Sequence, residues 1–162
     1  MTLEYENAIA KYHSGMKILN TPLICWDFVR QYYSDAFLVN NIQKNWSEKI
    51  NFLNVVNNQK REIIVTDKNF KIIFATDTIV NMNGYNSSEV IGKSPSFFQG
   101  IDTCNKAKKS IKKALDNLEP FREVILNYKK NGETYWCEID AYPKFDKQGV
   151  FVNYVAFEKL AS

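Results

Sequence analysis

The chain has 162 residues, 45% hydrophobic, 14% aromatic and 24% charged, enough apolar material for one packed domain with an extension and too little chain for a multidomain enzyme. Lysine and arginine number 21 against 18 aspartates and glutamates, a net charge of +3, which excludes the concentrated basic stripe of a dedicated nucleic-acid binder. No run approaches the roughly 18 apolar residues of a membrane span, and Met1-Thr2-Leu3-Glu4-Tyr5-Glu6 is acidic where a secretory signal is basic and then apolar. A cytoplasmic protein with no membrane or nucleic-acid partner is expected.

Chemistry-bearing residues are sparse. Cys25, Cys104 and Cys137 lie far apart, form no CxxC pair, and read as reduced thiols. His13 is the only histidine, which leaves a histidine triad or a histidine-rich metal site without material. P-loop, GxGxxG and HExxH motifs are missing. The expectation is a non-enzyme without a metal.

Residues 1 to 60 carry helical spacings and read as a helical N-terminal extension. Asn20-Thr21-Pro22 marks a stop and restart, with Pro22 suited to a first helical position. A second restart at Ser47 predicts a helix from Lys49 to Gln59. From Arg61 the pattern changes. Ile63-Ile64-Val65 and Phe70-Lys71-Ile72-Ile73-Phe74 are β-rich runs around the turn cluster Thr66-Asp67-Lys68-Asn69. Residues 77 to 118 read as short helices followed by a longer one from Thr103 to Leu118, with the apolar stripe Ala107, Ile111, Ala114, Leu115 and Leu118. Strands over Phe121 to Lys129, Thr134 to Phe145 and Val150 to Lys159 follow, joined at Asn131-Gly132 and at Asp146 to Gly149. The order predicts an α+β fold, a five-stranded antiparallel sheet in residues 61 to 162 with helices on one face.

This order, with Asn83-Gly84-Tyr85-Asn86-Ser87-Ser88-Glu89-Val90-Ile91-Gly92-Lys93-Ser94-Pro95 in the helical segment, resembles the PAS domain family over Arg61 to Lys159. Asn127-Tyr128-Lys129-Lys130-Asn131-Gly132 followed by Tyr135-Trp136 is similar to the family's strand, turn and aromatic strand start. Gly92 to Gly100 is similar to the stretch that carries the photoactive cysteine in the light-sensing LOV branch. Pro95 stands in that cysteine's place, so the resemblance implies no covalent flavin adduct. Gln99 and Asn127 match the branch's flavin-holding polar residues. Ser94, Ser96, Cys137 and Lys159 replace an asparagine, an arginine, an asparagine and a glutamine, and Phe157 stands where the branch has glycine. A PAS fold with a signalling role and no assigned cofactor is expected. Flavin is disfavoured by Pro95, Cys137, Phe157 and Lys159, and a noncovalent flavin photosensor or redox sensor is the alternative.

Strand alternation puts Tyr135, Cys137, Ile139 and Ala141 on the face toward the helices and Trp136, Glu138, Asp140 and Tyr142 on the other. A filled core is the first expectation on this face; a ligand pocket, if one exists, would be lined by Val65, Phe97, Phe98, Gln99, Ile125, Asn127, Cys137, Ile139, Ala141, Val155 and Phe157. Leu126, Tyr128, Trp136, Tyr142, Tyr154 and Ala156 are expected on the outer face, an apolar area that needs a cover. The extension supplies Ile9, Leu23, Trp26, Phe28, Phe37 and Leu38 for it, in the same chain or in a homodimer, toward which PAS modules lean. Lys106, Lys108, Lys109, Lys112 and Lys113 read as a solvated helix face. No output segment follows the last strand, so a separate signalling protein is the expected partner.

Overall fold

Each hairpin turn is closed by a short polar side chain that accepts from its own turn's backbone. Asp67 Oδ1 takes the N–H groups of Asn69 and Lys71 at 2.8 Å, Asn131 Oδ1 that of Glu133 at 3.0 Å, and Asp146 Oδ1 those of Gln148 and Val150 at 2.9 Å. Asp and Asn do this because their oxygen reaches a backbone N–H two residues on. In the computed structural model, which describes residues 34–161, these turns join β1 (Glu62–Thr66) to β2 (Ile72–Ala75), β3 (Phe121–Tyr128) to β4 (Thr134–Phe145), and β4 to β5 (Phe151–Leu160). The strands lie in the order β2-β1-β5-β4-β3 with every neighbouring pair antiparallel. β5, third of the five, pairs along both edges.

The chain between β2 and β3 crosses one face of this sheet. It runs as α1 (Ile79–Asn83), α2 (Ser87–Val90), a 3-10 turn (Pro95–Phe98) and α3 (Asn105–Asp116). Gly84 ends α1 at φ 78°, a left-handed conformation that glycine adopts without strain. Glu89 Oε2 takes the Asn86 N–H at 2.9 Å, closing a capping box that starts α2. Ile79, Met82, Val90 and Phe98 from these elements pack on Ile64, Ile72, Ala75, Ile125, Tyr135 and Cys137 of the strands.

The opposite face is partly covered by residues 34–58. Ile63, Val65 and Val155 are fully buried although they point away from the α1–α3 side, and Val39, Trp46, Phe52, Val55 and Val56 are the buried apolar residues of the preceding segment. Trp46 Nε1 donates to Asn153 Oδ1 at 2.8 Å, Ser47 N donates to Phe145 O at 2.9 Å, and Asp77 N donates to Asp35 Oδ2 at 2.9 Å. These bonds seat the segment over the β1–β5 half of the sheet, in one compact unit with residues 61–161.

Differences from the sequence reading have local causes. The helix expected over Lys49 to Gln59 is a π-helical turn, Asn54–Asn58, because asparagine and β-branched valine make a weak helix. Phe70 belongs to the turn, at φ 57°, and β2 begins at Ile72. The long helix is Asn105–Asp116, shorter at both ends than Thr103 to Leu118. Phe37 is 66% exposed and Leu38 47%, so neither is buried as a cover for the sheet. The readings of Ile9, His13, Asn20-Thr21-Pro22, Leu23, Cys25, Trp26 and Phe28 lie outside the described residues.

Candidate ligand cavity

Between the sheet and the α3 side lies a cavity of about 490 Å³. Ile64 and Thr66 of β1, Ala156 and Glu158 of β5, Ile139 and Ala141 of β4, and Ile125 and Asn127 of β3 form its floor. Ile111 and Leu115, on the inward stripe of α3, and Phe98 and Gln99, at the end of the 3-10 turn, form its wall. Pro95 opens that turn at a first helical position, where a fixed φ is favourable. The turn then buries Phe98 and leaves Phe97 at 39% exposure against the Tyr85 ring, with Lys93 Nζ 3.8 Å from its centroid.

Polar and charged residues make up about half of the lining, and two of them carry buried atoms without partners. Asn127 and Thr66 are among the lining residues, but Asn127 Oδ1 and Thr66 Oγ1 are themselves fully enclosed and have no hydrogen-bond partner among the described residues. Such atoms carry a desolvation penalty. The Tyr135 hydroxyl is turned toward the Asn83 and Asn127 amides without closing a normal hydrogen bond to either. Burial raises its pKa. The Tyr154 hydroxyl lies against Glu119 O at 2.8 Å and Ala114 O at 3.2 Å, tying β5 to the end of α3, and burial lifts its pKa to about 12. Glu158 is buried in the floor and accepts from Cys137 Sγ at 3.5 Å. Loss of water pushes its carboxyl up to about 7, the thiol bond pulls it down, and Glu62 on β1 pushes it up again.

Of the residues expected to meet in a pocket, Phe98, Gln99, Ile125, Asn127, Ile139 and Ala141 line this cavity. Cys137 faces the same side but lies in the packed core. Phe97 is exposed beside the turn. Val65, Val155 and Phe157 are corrections. Val65 pairs with Val155, Ile63 with Phe157, and Phe157 stacks on Tyr142 at 5.9 Å between centroids, all on the outer face. The inward residues of β5 are Tyr154, Ala156 and Glu158. Lys159 also points out, within 3.5 Å of Glu138. Phe157 and Lys159 thus take no cavity space, and the cavity-facing places that the resemblance gives to glycine and glutamine hold Ala156 and Glu158.

The expected outer surface is also redistributed. Tyr154 and Ala156 leave it for the cavity side. Leu126 pairs with Trp136, which is 55% exposed, and Tyr142 is 42% exposed. Tyr128 curls around the sheet edge to donate from its hydroxyl to Asp102 Oδ2 at 2.6 Å. Between the aromatics lies a charge cluster that the sequence reading missed. Arg61, nearly buried, contacts Glu138, Asp140 Oδ2 at 3.1 Å and the Phe157 carbonyl, while Arg122 holds both oxygens of Asp140. Hydrogen bonds from Arg122 and Arg61 hold the Asp140 and Glu138 carboxyls below their ordinary range. Lys106, Lys109, Lys112 and Lys113 are exposed on α3, and Lys108 is half-buried with Nζ donating to Gly100 O.

Among the described residues no helix is long and apolar enough to cross a membrane, and no group of side chains could hold a metal ion. The sheet order, the crossing helices and the cavity between them are those of a sensory domain, and comparison agrees. The chain belongs to the PAS domain family, whose match spans residues 61–159. It is 36% identical over 85 residues to a blue-light-activated histidine kinase of Brucella anthropi, covering 52% of this chain and 17% of the kinase. It is 27% identical over 132 residues to phototropin-1A of Oryza sativa subsp. japonica, covering 79% of this chain and 14% of the phototropin. The chain therefore spans less than a fifth of these relatives. A solved light-oxygen-voltage domain from work with a flavin analogue aligns at TM-score 0.63 and 28% identity, over 68% of this chain and 84% of that one. The LOV domain of a blue-light activated histidine kinase from Erythrobacter litoralis aligns at 0.59 and 26%, over 63% of this chain and 96% of that one. This is a LOV-like PAS sensory domain of signal transduction.

Proposed function

We propose that this chain is a non-enzymatic PAS sensory module that takes a small molecule noncovalently between the sheet and α3. The observation that carries the reading is the cavity itself, about 490 Å³ and within the usual size range of ligand sites, with a mainly apolar floor that carries Asn127, Thr66 and Glu158. Small-molecule mass spectrometry of the denatured full chain tests it. A discrete released compound supports the reading, and a folded protein that releases nothing and takes up nothing contradicts it.

A second reading, a flavin held without a covalent bond, is favoured by the register of β5. Ala156 leaves the space that a phenyl ring would fill, and Gln99, Asn127 and Glu158 stand around the cavity as polar handles. Bound flavin would supply light absorption and redox chemistry; Pro95 offers no sulfur. Visible absorbance of the purified protein separates the two readings, since flavin bands belong only to the second.

Occupancy changes would reach a signalling protein or a second copy of the chain through the open part of the outer face. Trp136 and Tyr142 are the exposed aromatics there. Light scattering over a concentration series tests self-association.

A further inference from the structure

Charge is spread unevenly over this chain. α3 carries five of the 21 basic residues and one of the 18 acidic ones, so the remainder is close to electrically balanced. Lys106, Lys109 and Lys113 fall at i, i+3 and i+7, on one stripe of the helix, away from the Ile111 and Leu115 side that lines the cavity. Lys112 stands beside this stripe, and all four lysines are exposed. From Lys106 to Lys113 the stripe runs about 10 Å, at about 1.5 Å per residue.

Little on the chain offsets these charges. Lys112 and Asp116 pair at 3.7 Å, but their side chains are 78% and 60% exposed, so water screens the pair. Lys108, on the flank, is turned to Gly100 O at 3.2 Å. Lys106, Lys109 and Lys113 make no ion pair among the described residues. Like charges at three- and four-residue spacing on a helix repel one another. A run of lysines is ordinarily a solvated face; what marks this one is its boundary. Exposed carboxylates stand at both ends, Asp102 before the helix and Asp116 and Glu119 at its close.

That boundary sets the kind of partner. A nucleic acid or a phospholipid surface would lay its next charges over Asp102 or Glu119. The exposed positions of α3 also hold no arginine or aromatic side chain to grip phosphates and bases, and no aliphatic one to enter a bilayer. Ile101, 94% exposed just before the helix, is a single apolar contact. A short acidic segment with a few carboxylates over about two helical turns matches the stripe in length and in sign. We infer that the lysine face of α3 is a docking surface for such an acidic segment of a partner protein, with Lys106, Lys109 and Lys113 as its contacts. This surface lies across the sheet from Trp136 and Tyr142. Ile111 and Leu115 of the same helix line the cavity, so a docked partner sits on the back of the cavity wall, whether or not the cavity is filled.

The test measures fluorescence anisotropy of a fluorescein-labelled decaglutamate peptide titrated with the full chain at pH 7. Wild type should bind it, with affinity falling about tenfold between about 50 mM and about 200 mM sodium chloride as exposed charges are screened. The triple variant Lys106→Gln, Lys109→Gln, Lys113→Gln should bind about tenfold more weakly at the lower salt, in line with three exposed charge pairs. Glutamine matches lysine in helix propensity, so its circular dichroism spectrum and melting temperature should equal those of wild type. Lys68→Gln, Lys71→Gln, Lys147→Gln removes the same charge from exposed positions elsewhere and should bind within about twofold of wild type. Absence of wild-type binding at the lower salt would overturn the inference. Equal losses in the two triple variants would do the same, by showing that net charge alone is read. So would tighter binding of a ten-nucleotide oligothymidylate, or of phosphatidylcholine vesicles containing phosphatidylserine, than of the peptide.

Discussion

Trp46 and Asn153 are joined side chain to side chain at 2.8 Å across 107 residues of sequence, and Asn153 passes the connection on by donating to the Thr66 carbonyl at 2.9 Å. One asparagine on the central strand thus fixes both the segment before the sheet and the end of β1. Trp46 is 2% exposed, so Trp46→Ala should lower stability by about 3–5 kcal/mol, as large-to-small core changes do. Asn153→Ala should cost less, about 1–3 kcal/mol, chiefly through the indole N–H left unpaired. Urea titration followed by fluorescence reads both. A tryptophan variant within about 0.5 kcal/mol of wild type would show that the segment is not part of the folded unit.

The charge cluster on the outer face predicts loss of stability in acid. Arg122 and Arg61 hold the Asp140 and Glu138 carboxyls below their ordinary values, so the folded state binds protons there less readily than the unfolded chain. Their stabilisation is complete above the unfolded values and is lost as pH falls through the folded ones. Arg61→Met should weaken this acid dependence and destabilise the domain at pH 7, because Asp140, 6% exposed, would keep only Arg122. Thermal melts between pH 3 and pH 7 measure both effects, and a slope unchanged in the variant would contradict the assignment.

Glu158 and Asp35 act with the opposite sign. Burial lifts their carboxyls to about 7 and about 6, so folding is favoured most below their unfolded values and is penalised as pH rises through the folded ones. Glu158→Gln should therefore stabilise the ligand-free protein at pH 8, by about 3 kcal/mol at most from a rise of two to three pH units. At pH 4 it should change little. Denaturant midpoints at the two pH values check this, and an equal effect at both would contradict burial of the carboxyl.

Gly100 and Tyr128 are packed too closely for a side chain. A Cβ at residue 100 would lie 2.3 Å from the Tyr128 ring, so Gly100→Ala should displace the ring, break its bond to Asp102 and cost about 1–3 kcal/mol. Combining it with Tyr128→Ala should cost less than the sum of the single changes. Strict additivity in a double-mutant cycle would contradict the contact.

Most of the fold was legible because its signals are local: the Asp and Asn turn residues, the alternation of β3 and β4, and the stripe of α3. The two strands read with the wrong face, β1 and β5, are central and covered on both sides. Ile63, Ile64 and Val65 are all buried, as are Asn153, Tyr154 and Val155, so alternation carries no information there. Ala156 followed two residues later by Glu158 was the available signal, a small and an ionisable residue sharing one face. Setting Phe157, between them, in the place of the LOV branch's glycine puts the phenylalanine inward, one residue out of register. Thr66 was absorbed into a turn, and the Arg61–Asp140 contact joins residues 79 apart, beyond the reach of any local pattern.

The central claim, a small molecule held noncovalently between the sheet and α3, is tested most directly by native mass spectrometry of the purified full chain beside Ala156→Leu. Leucine at this position projects into the cavity floor. The account predicts a discrete mass above the 18.9 kDa polypeptide that disappears on denaturation and is diminished in the variant. A folded wild type that shows the bare polypeptide mass, and gains none when incubated with riboflavin or Nile red, would contradict it.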